Sequence, residues 1–336
     1  MSAQRPVLGI TMGDPAGVGP EIIAAALSAE AVYERCVPIV IGDAGVMEAA
    51  CQLMKVPLEV AACTAVGKQE PSAGTMVVLD MKKVDLQALS YGEVSAMAGE
   101  AAYAYVERAA ELALQGDVDA IVTAPLNKAA LNEAGRHFAG HTEILASLCG
   151  VQDVAMMLVA GNLRVSHVST HCALREACDR VRRERVSEVL RLTVDALRQM
   201  GIETPRVAVA GLNPHAGEGG LFGREELEEI APAIEEARAG GLHVIGPEPP
   251  DTIFLRALQH PNAIHAVVAM YHDQGHIAVK MADFFGGVNL TLGLPILRTS
   301  VDHGTAFDIA WQGQANPDSL HAALRLAAVM SAHRGH

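Results

Sequence analysis

The chain is short of basic residues: Lys and Arg total 25 against 39 Asp and Glu, a net charge of -14 over 336 residues. A nucleic-acid surface needs a basic stripe and an anionic membrane needs a basic patch, so neither partner is expected. No apolar run approaches the roughly 18 residues of a transmembrane helix. Met1 to Thr11 lacks the basic segment and apolar stretch of a signal peptide, and Gly13, Asp14 and Pro15 follow at once. The six cysteines (Cys36, Cys51, Cys63, Cys149, Cys172, Cys178) make no C-x-x-C pair, so reduced thiols and a cytoplasmic location are expected. No H-E-x-x-H is present, which disfavours a zincin protease. Neither G-x-G-x-x-G nor a P-loop appears; Gly13-Asp14-Pro15-Ala16-Gly17-Val18-Gly19-Pro20 matches neither, and is expected to shape a cleft.

What is there reads as an α/β enzyme. Half the residues are hydrophobic and 19% charged, the balance of a packed globular chain. The length exceeds one ordinary core, so two domains are expected, and without a Pro/Gly/Ser linker they should share or exchange elements. Short β-branched runs alternate with helical patterns, the signature of a mostly parallel sheet covered by helices. The runs are Val7–Thr11, Val37–Ile41, Met76–Leu79, Ala120–Thr123, Val154–Val159, Arg164–Val168, Val207–Ala210 and Ala266–Met270. Apolar stripes at helical spacing run through Val94–Leu114 and Val186–Leu197. Asn289–Ser300, poor in helix formers and holding Gly293 and Pro295, is expected to connect the domains.

Three histidines stand just past the ends of such runs: His171, His215 and His272. In an open parallel sheet those ends line the ligand crevice. Three imidazoles there can converge on a divalent metal and leave a fourth position open for chemistry. Each alone reads more readily as an ordinary hydrogen-bonded histidine; their shared position is the argument for a metal. Cys172, beside His171, is a weaker candidate ligand, since a lone cysteine usually fills core space. A second constellation suits an anion. His141 and Thr142 open a helical run with Thr142 as N-cap, and a helix start offers free N–H groups. Lys280 and Arg298 stand in mostly apolar stretches, where an unpaired charge would be costly, and Asn289 adds a neutral donor.

Asp302-His303-Gly304-Thr305-Ala306-Phe307-Asp308-Ile309-Ala310, followed by Gln314-Ala315-Asn316-Pro317, resembles the adenosine-binding loop of isopropylmalate and isocitrate dehydrogenases. Several longer motifs resemble one family across about Val7 to Ala328. They are Gly140-His141-Thr142-Glu143, Ser169-Thr170-His171, Gly211-Leu212-Asn213-Pro214-His215-Ala216-Gly217-Glu218-Gly219-Gly220, Met270-Tyr271-His272-Asp273-Gln274-Gly275 and Leu297-Arg298-Thr299-Ser300-Val301-Asp302-His303-Gly304-Thr305-Ala306. That family is the 4-hydroxythreonine-4-phosphate dehydrogenases.

The resemblance implies two α/β/α domains of the isopropylmalate/isocitrate dehydrogenase kind with a cleft between them. Residues 1–127 with 281–336 would form the nucleotide-side domain, and 128–280 a central metal-binding and dimerisation domain. It implies His171, His215 and His272 as metal ligands, for Zn, Co, Mg or Mn, and His141, Thr142, Lys280, Asn289 and Arg298 as substrate contacts. His303, Gly304, Thr305, Ala306, Asp308 and Asn316 would contact NAD. It also implies a homodimer whose active sites take residues from both copies. The general base is open among Asp251, Asp273 and Lys128, chosen by position only. The family contains enzymes acting on 4-phosphohydroxy-L-threonine, for pyridoxal phosphate synthesis, and a branch acting on 4-phospho-D-threonate or 4-phospho-D-erythronate. Thr11-Met12-Gly13-Asp14-Pro15, Gly275-His276-Ile277 and Phe307-Asp308-Ile309-Ala310-Trp311 look more like the second branch. The expected reaction is NAD-linked oxidation with decarboxylation, giving dihydroxyacetone phosphate. A metal-dependent sugar-phosphate lyase or aldolase, which would need no NAD, and a non-catalytic sugar-phosphate binder are the rival readings.

Overall fold

The structure is a computed structural model that describes residues 5–67 and 71–334. The first four residues of the stretch read for a leader, which also begin the expected nucleotide-side domain, lie outside them, as do that domain's last two. Among the described residues the strands are β1 (Val7–Thr11), β2 (Val37–Gly42), β3 (Glu59–Cys63), β4 (Thr75–Asp80), β5 (Ala120–Thr123) and β6 (Ala155–Ala160). Then come β7 (Leu163–His167), β8 (Arg206–Ala210), β9 (His243–Glu248), β10 (Ala266–Ala269), β11 (Val288–Leu292) and β12 (Arg298–Val301). The helices are α1 (Gly19–Leu27), α2 (Glu30–Arg35), α3 (Ala44–Met54), α4 (Ala96–Gln115), α5 (Lys128–Glu133) and α6 (His141–Cys149). They continue with α7 (Leu174–Asp179), α8 (Arg183–Gln199), α9 (Ala231–Ala239), α10 (Pro250–Gln259), α11 (His272–Ala282) and α12 (Asp318–Arg334).

The chain folds as two compact units, one from Met1–Gln152 with Leu294–His336, the other from Asp153–Gly293. In the first, strands lie in the order β3-β4-β2-β1-β5-β12 and every neighbouring pair is parallel. Strands covered by helices on both faces read as unbroken apolar runs, and Leu8, Ile10, Ile39, Val40, Ile121 and Val122 are all buried. The chain runs from β1 outward to β2, then returns through α4 to β5 on the other side of β1. The order therefore reverses between β1 and β5, and the carboxyl ends of those strands frame a ligand crevice.

In the second unit the order is β11-β6-β7-β10-β8-β9. β11, β6 and β7 pair antiparallel, while β7, β10, β8 and β9 run parallel. The β6–β7 hairpin closes on Gly161-Asn162, with Gly161 at φ 54, a conformation glycine adopts freely. The core joins Leu158, Val165, Ala208, Ile253, Val267 and Val279.

The two long helices fall where the periodicity puts them. Ser95 caps α4 by accepting the Ala98 N–H, and Gly116 ends it in the left-handed region. α8 buries Val186, Val189, Leu190 and Leu197. Asn289–Ser300 does connect the two units, the chain leaving one at Gly293 and entering the other at Leu294, but it is not a plain loop, since it holds most of β11 and β12. Gly293, at φ 89, makes the break between them, and a side chain there would collide with the Asp153 carbonyl. No helix among the described residues is long and apolar enough to cross a membrane.

Candidate active site

β7, β10 and β8 are adjacent and parallel, so their carboxyl ends share one edge. His171 lies four residues past β7, His272 opens α11 just after β10, and His215 lies five residues past β8. His171 and His272 come together, ring centroids 5.8 Å apart. They line a pocket of about 510 Å³ with Thr170, Cys172, Tyr271 and Asp273. The Asp273 carboxylate lies 2.7 Å from His272 Nδ1. A proton held there would leave the Nε2 lone pair available as a donor to a ligand. His215 follows β8 on the same edge, its ring centroid 6.3 Å from that of Phe222. Among the described residues no three His, Cys, Asp or Glu side chains form a group able to hold a metal ion. One chain therefore supplies a pair of imidazoles in one pocket, and a third imidazole apart from a three-donor cluster.

Sequence reasoning missed what stands behind His272. His276 stacks on it, centroids 3.5 Å apart and planes 12° apart, and His167 packs on His276 at 4.8 Å. His167 is buried, and its pKa is pushed down to about 3, first by burial and then by His276, so its ring is neutral. Gly275 makes room for it, because a side chain there would stand 2.3 Å from His167 Nε2. The signal was the i,i+4 spacing of His272 and His276, which puts both on one helix face. Gln274 accepts the Met270 N–H and donates to the Gly211 carbonyl, tying the start of α11 to the end of β8. Of the other expected residues in this unit, Asp251 lies exposed in the first turn of α10, and Asp273 is exposed. Lys280 is half-buried in the last turn of α11, its ammonium 5.5 Å from the Phe284 ring. Asn289 sits in β11 with Nδ2 on the Met156 sulfur at 3.1 Å, and its Oδ1 is buried without a partner.

In the first unit Arg298 is 2% exposed and donates from Nε and Nη2 to Thr123 Oγ1, at 3.1 and 2.7 Å. Burial pulls its pKa down to about 9, and the Glu143 carboxylate offsets part of that. His141 opens α6. Its Nε2 is buried and unpartnered, and its pKa lies well below the usual histidine range, first from burial and then from the Arg298 charge. A neutral imidazole thus sits near a guanidinium held where water cannot screen it, at the start of a helix with free N–H groups. Such a grouping has the chemistry to receive an anion. Thr142 is not the N-cap; Gly140 takes that position, and Thr142 lies half-buried in the first turn. A glycine accepts the extended cap backbone and leaves the helix start uncovered. Lys128 is exposed at the first position of α5, which Asn127 caps.

The loop between β12 and α12 carries the residues expected to meet NAD. It is fixed from beneath by the glycine-rich turn after β1. Val18 N–H donates to the Thr305 carbonyl, and Gly17 approaches Thr305 so closely that a side chain there would stand 2.9 Å from its Cβ. Glu21, fully buried, accepts the N–H groups of Trp311 at 2.6 Å and Gly313 at 2.7 Å. Trp311 donates to the Pro15 carbonyl and stacks on Tyr91. On this pinned backbone Thr305 is buried and Ala306 takes φ 43, while His303, Gly304, Asp308 and Asn316 are exposed. Asn316 Oδ1 also caps α12 through the Asp318 N–H.

Mostly parallel strands covered by helices, with imidazoles past the strand ends of one unit and a buried guanidinium in the other, define an α/β protein of the doubly wound kind. Residues 34–327 match the family model described as pyridoxal phosphate biosynthetic protein PdxA, and the chain belongs to this dehydrogenase family. It is 48% identical over 335 residues to the D-threonate 4-phosphate dehydrogenase of Cupriavidus necator, covering 99% of this chain and 100% of that one. It is 47% identical over 336 residues to the 4-hydroxythreonine-4-phosphate dehydrogenase of Desulforapulum autotrophicum, covering 100% and 98%. The crystal structure of 4-hydroxythreonine-4-phosphate dehydrogenase from Klebsiella pneumoniae matches with a TM-score of 0.90 and 44% identity, covering 98% and 99%.

Proposed function

We propose that this dehydrogenase oxidises 4-phospho-D-threonate or 4-phospho-D-erythronate with NAD, releasing CO2 and leaving dihydroxyacetone phosphate. The observation that carries the reading is the buried Arg298 with the neutral His141 beside it, a receptor for a phosphate or carboxylate rather than for a neutral alcohol. Thr142, Lys280 and Asn289 would take the substrate's remaining polar groups. The acid branch is favoured by the motifs around His276 and Trp311. 4-Phosphohydroxy-L-threonine is the second reading, because a relative named for that activity matches equally over the whole chain.

His171, His215 and His272 are the proposed metal ligands. The donor type suits zinc or cobalt, and since the described residues of one chain gather no three-donor group, a second copy would complete the site. A bound divalent cation would supply Lewis acidity toward the substrate hydroxyl. A homodimer is supported by the outward face of α11. Ile277 and Met281, one turn apart, are 63% and 83% exposed, and Phe284 and Phe285 follow them. That apolar face lies on the helix that begins with His272, and a second copy would cover it.

His303, Gly304, Thr305, Ala306, Asp308 and Asn316 would hold NAD on the pinned loop. Asp273 faces His272 Nδ1 and orients that ring, which leaves Asp251 and Lys128 as the candidates for accepting the hydroxyl proton. A cytoplasmic location fits a chain of reduced cysteines.

The test is NADH formation with the three phosphorylated acids side by side, before and after chelation, with His171→Ala in parallel. Turnover of a four-carbon phosphorylated acid that chelation and the variant both abolish is expected. Activity unaffected by either removes the metal, and absence of NADH with all three acids removes the reading.

A further inference from the structure

Within Pro214–Gly220 the backbone winds with the wrong hand. His215, Ala216, Gly217, Glu218 and Gly219 have φ of 53, 52, 77, 44 and 65° in succession. Glycine takes this conformation freely, but His215, Ala216 and Glu218 crowd their own backbone there. A turn of this kind persists only when its surroundings over-determine it.

We propose that Glu226 is the positioning residue that holds this turn and thereby aims His215; the role given to His215 rests on the function proposed above. Glu226 is 3% exposed and lies on the element that follows the turn. Its Oε1 accepts the backbone N–H of Leu212 at 2.8 Å and of Asn213 at 2.7 Å, and its Oε2 accepts Asn213 Nδ2 at 2.9 Å. Among the described residues no Lys or Arg forms a salt bridge with it. The carboxylate is held by N–H donors from the two residues that lead into the turn. Gly211 and Gly217 make way for it, since side chains there would stand 3.1 and 2.6 Å from its oxygens. A leucine would fill the space; only a carboxylate can take three directed hydrogen bonds. Gln274 reaches the same stretch from the other side by donating to the Gly211 carbonyl. One carboxylate and one amide thus fix the backbone between His215 and the helix that begins with His272.

Three variants test this at temperatures where each is folded. Glu226→Ala removes every acceptor, Glu226→Asp keeps the charge but shortens its reach, and Glu226→Gln keeps an oxygen for the two backbone donors. Hydrogen–deuterium exchange of the peptide covering 211–220 should accelerate on the order of 10- to 100-fold in Glu226→Ala, the worth of hydrogen bonds to a charged acceptor. Turnover per folded enzyme should fall about tenfold or more with the KM for NAD changed by less than about threefold, the signature of a displaced catalytic group. Glu226→Gln should retain most of both. Glu226→Asp should behave like Glu226→Ala, and it carries the test if the alanine variant does not fold. Unchanged exchange in Glu226→Asp overturns the proposal, as does faster exchange with turnover per folded enzyme within about twofold of the parent. A parent enzyme inactive on all three acids refutes the function reading instead, and exchange alone then decides whether the clamp exists.

Discussion

Arg298 offers a prediction in which stability and binding move in opposite directions. The guanidinium is 2% exposed and its pKa falls from the usual arginine range to about 9, chiefly through burial. A base whose folded pKa is depressed destabilises the fold wherever both states are charged. The penalty is therefore fully present below about pH 9 and fades as pH rises from there toward the ordinary arginine range. The gap corresponds to about 5 kcal/mol at most, after the Glu143 offset already contained in it. Arg298→Met removes the charge and keeps much of the volume. It strips Thr123 Oγ1 of two donors, a loss of about 1–2 kcal/mol. Replacing buried charges by well-packed apolar groups gains about 1–4 kcal/mol where it has been measured. The net expectation is a gain of up to about 3 kcal/mol at pH 7, a rise of about 2–4 °C in Tm per kcal/mol. The same variant should lose its anion. Inorganic phosphate at about 100 times its Kd should stabilise the parent by roughly 2.7 kcal/mol and the variant not at all. Differential scanning fluorimetry with and without phosphate reads both. A variant less stable than the parent that still shifts with phosphate would refute the reasoning at both steps.

Asp14 carries the same logic at lower pH. Its pKa is raised to about 6 by burial, so the stability conferred by its acid form is complete below about pH 3.8 and lost as pH rises through 6. Asp14→Asn, which can still accept the Ala16 N–H, should gain about 1–3 kcal/mol at pH 8 and nothing at pH 4; thermal melts with equal differences at both pH values would contradict this. Glu21→Ala leaves the Trp311 and Gly313 N–H groups without their acceptor, destabilising the chain by about 2–4 kcal/mol. It should raise the KM for NAD about tenfold with less effect on kcat, and an unchanged KM counts against a nucleotide role for that loop. Gly99→Ala would put a methyl 2.0 Å from the Ala130 carbonyl, forcing α4 and α5 apart. A loss of about 1–3 kcal/mol is expected in urea unfolding, and an unmoved midpoint would show that the helices separate freely.

The strands legible in the sequence are those buried on both faces, whose apolar residues run unbroken whether they pair parallel like β1 and β5 or antiparallel like β6. Those missed each break that rule. β3 is a half-exposed edge reading Glu-Val-Ala-Ala-Cys, and β9 contains Gly246 and Pro247. β11 and β12 were hidden because Gly293 and Pro295 between them read as one long connection. The histidines past β7, β8 and β10 were legible because position on a strand end is a local property. Arg298 was legible because an isolated charge in an apolar run demands a partner. The same argument would have found Glu21, a single carboxylate among Pro20, Ile22, Ile23 and three alanines in α1. Its partners Trp311 and Gly313 could not have been named, because they lie about 290 residues away and no periodicity links them. Glu226 and Gln274 escaped for the same reason, since a clamp is defined by what it reaches.

These buried groups divide into two kinds with opposite signs. Arg298 and Asp14 are ionisable groups that burial makes less stable in their charged forms, and the left-handed turn at His215 is a backbone held against its preference. Evolution tolerates such features where binding or chemistry needs them. Glu21 and Glu226 are buried carboxylates fully engaged by N–H donors, and each fixes a loop that displays proposed site residues. Neutral near-isosteres at Arg298 and Asp14 should therefore raise the Tm of the ligand-free protein at pH 8, while alanine at Glu21 and Glu226 should lower it. If all four variants move Tm in one direction, burial alone governs these positions, and the distinction between groups that act and groups that hold them has no physical basis here.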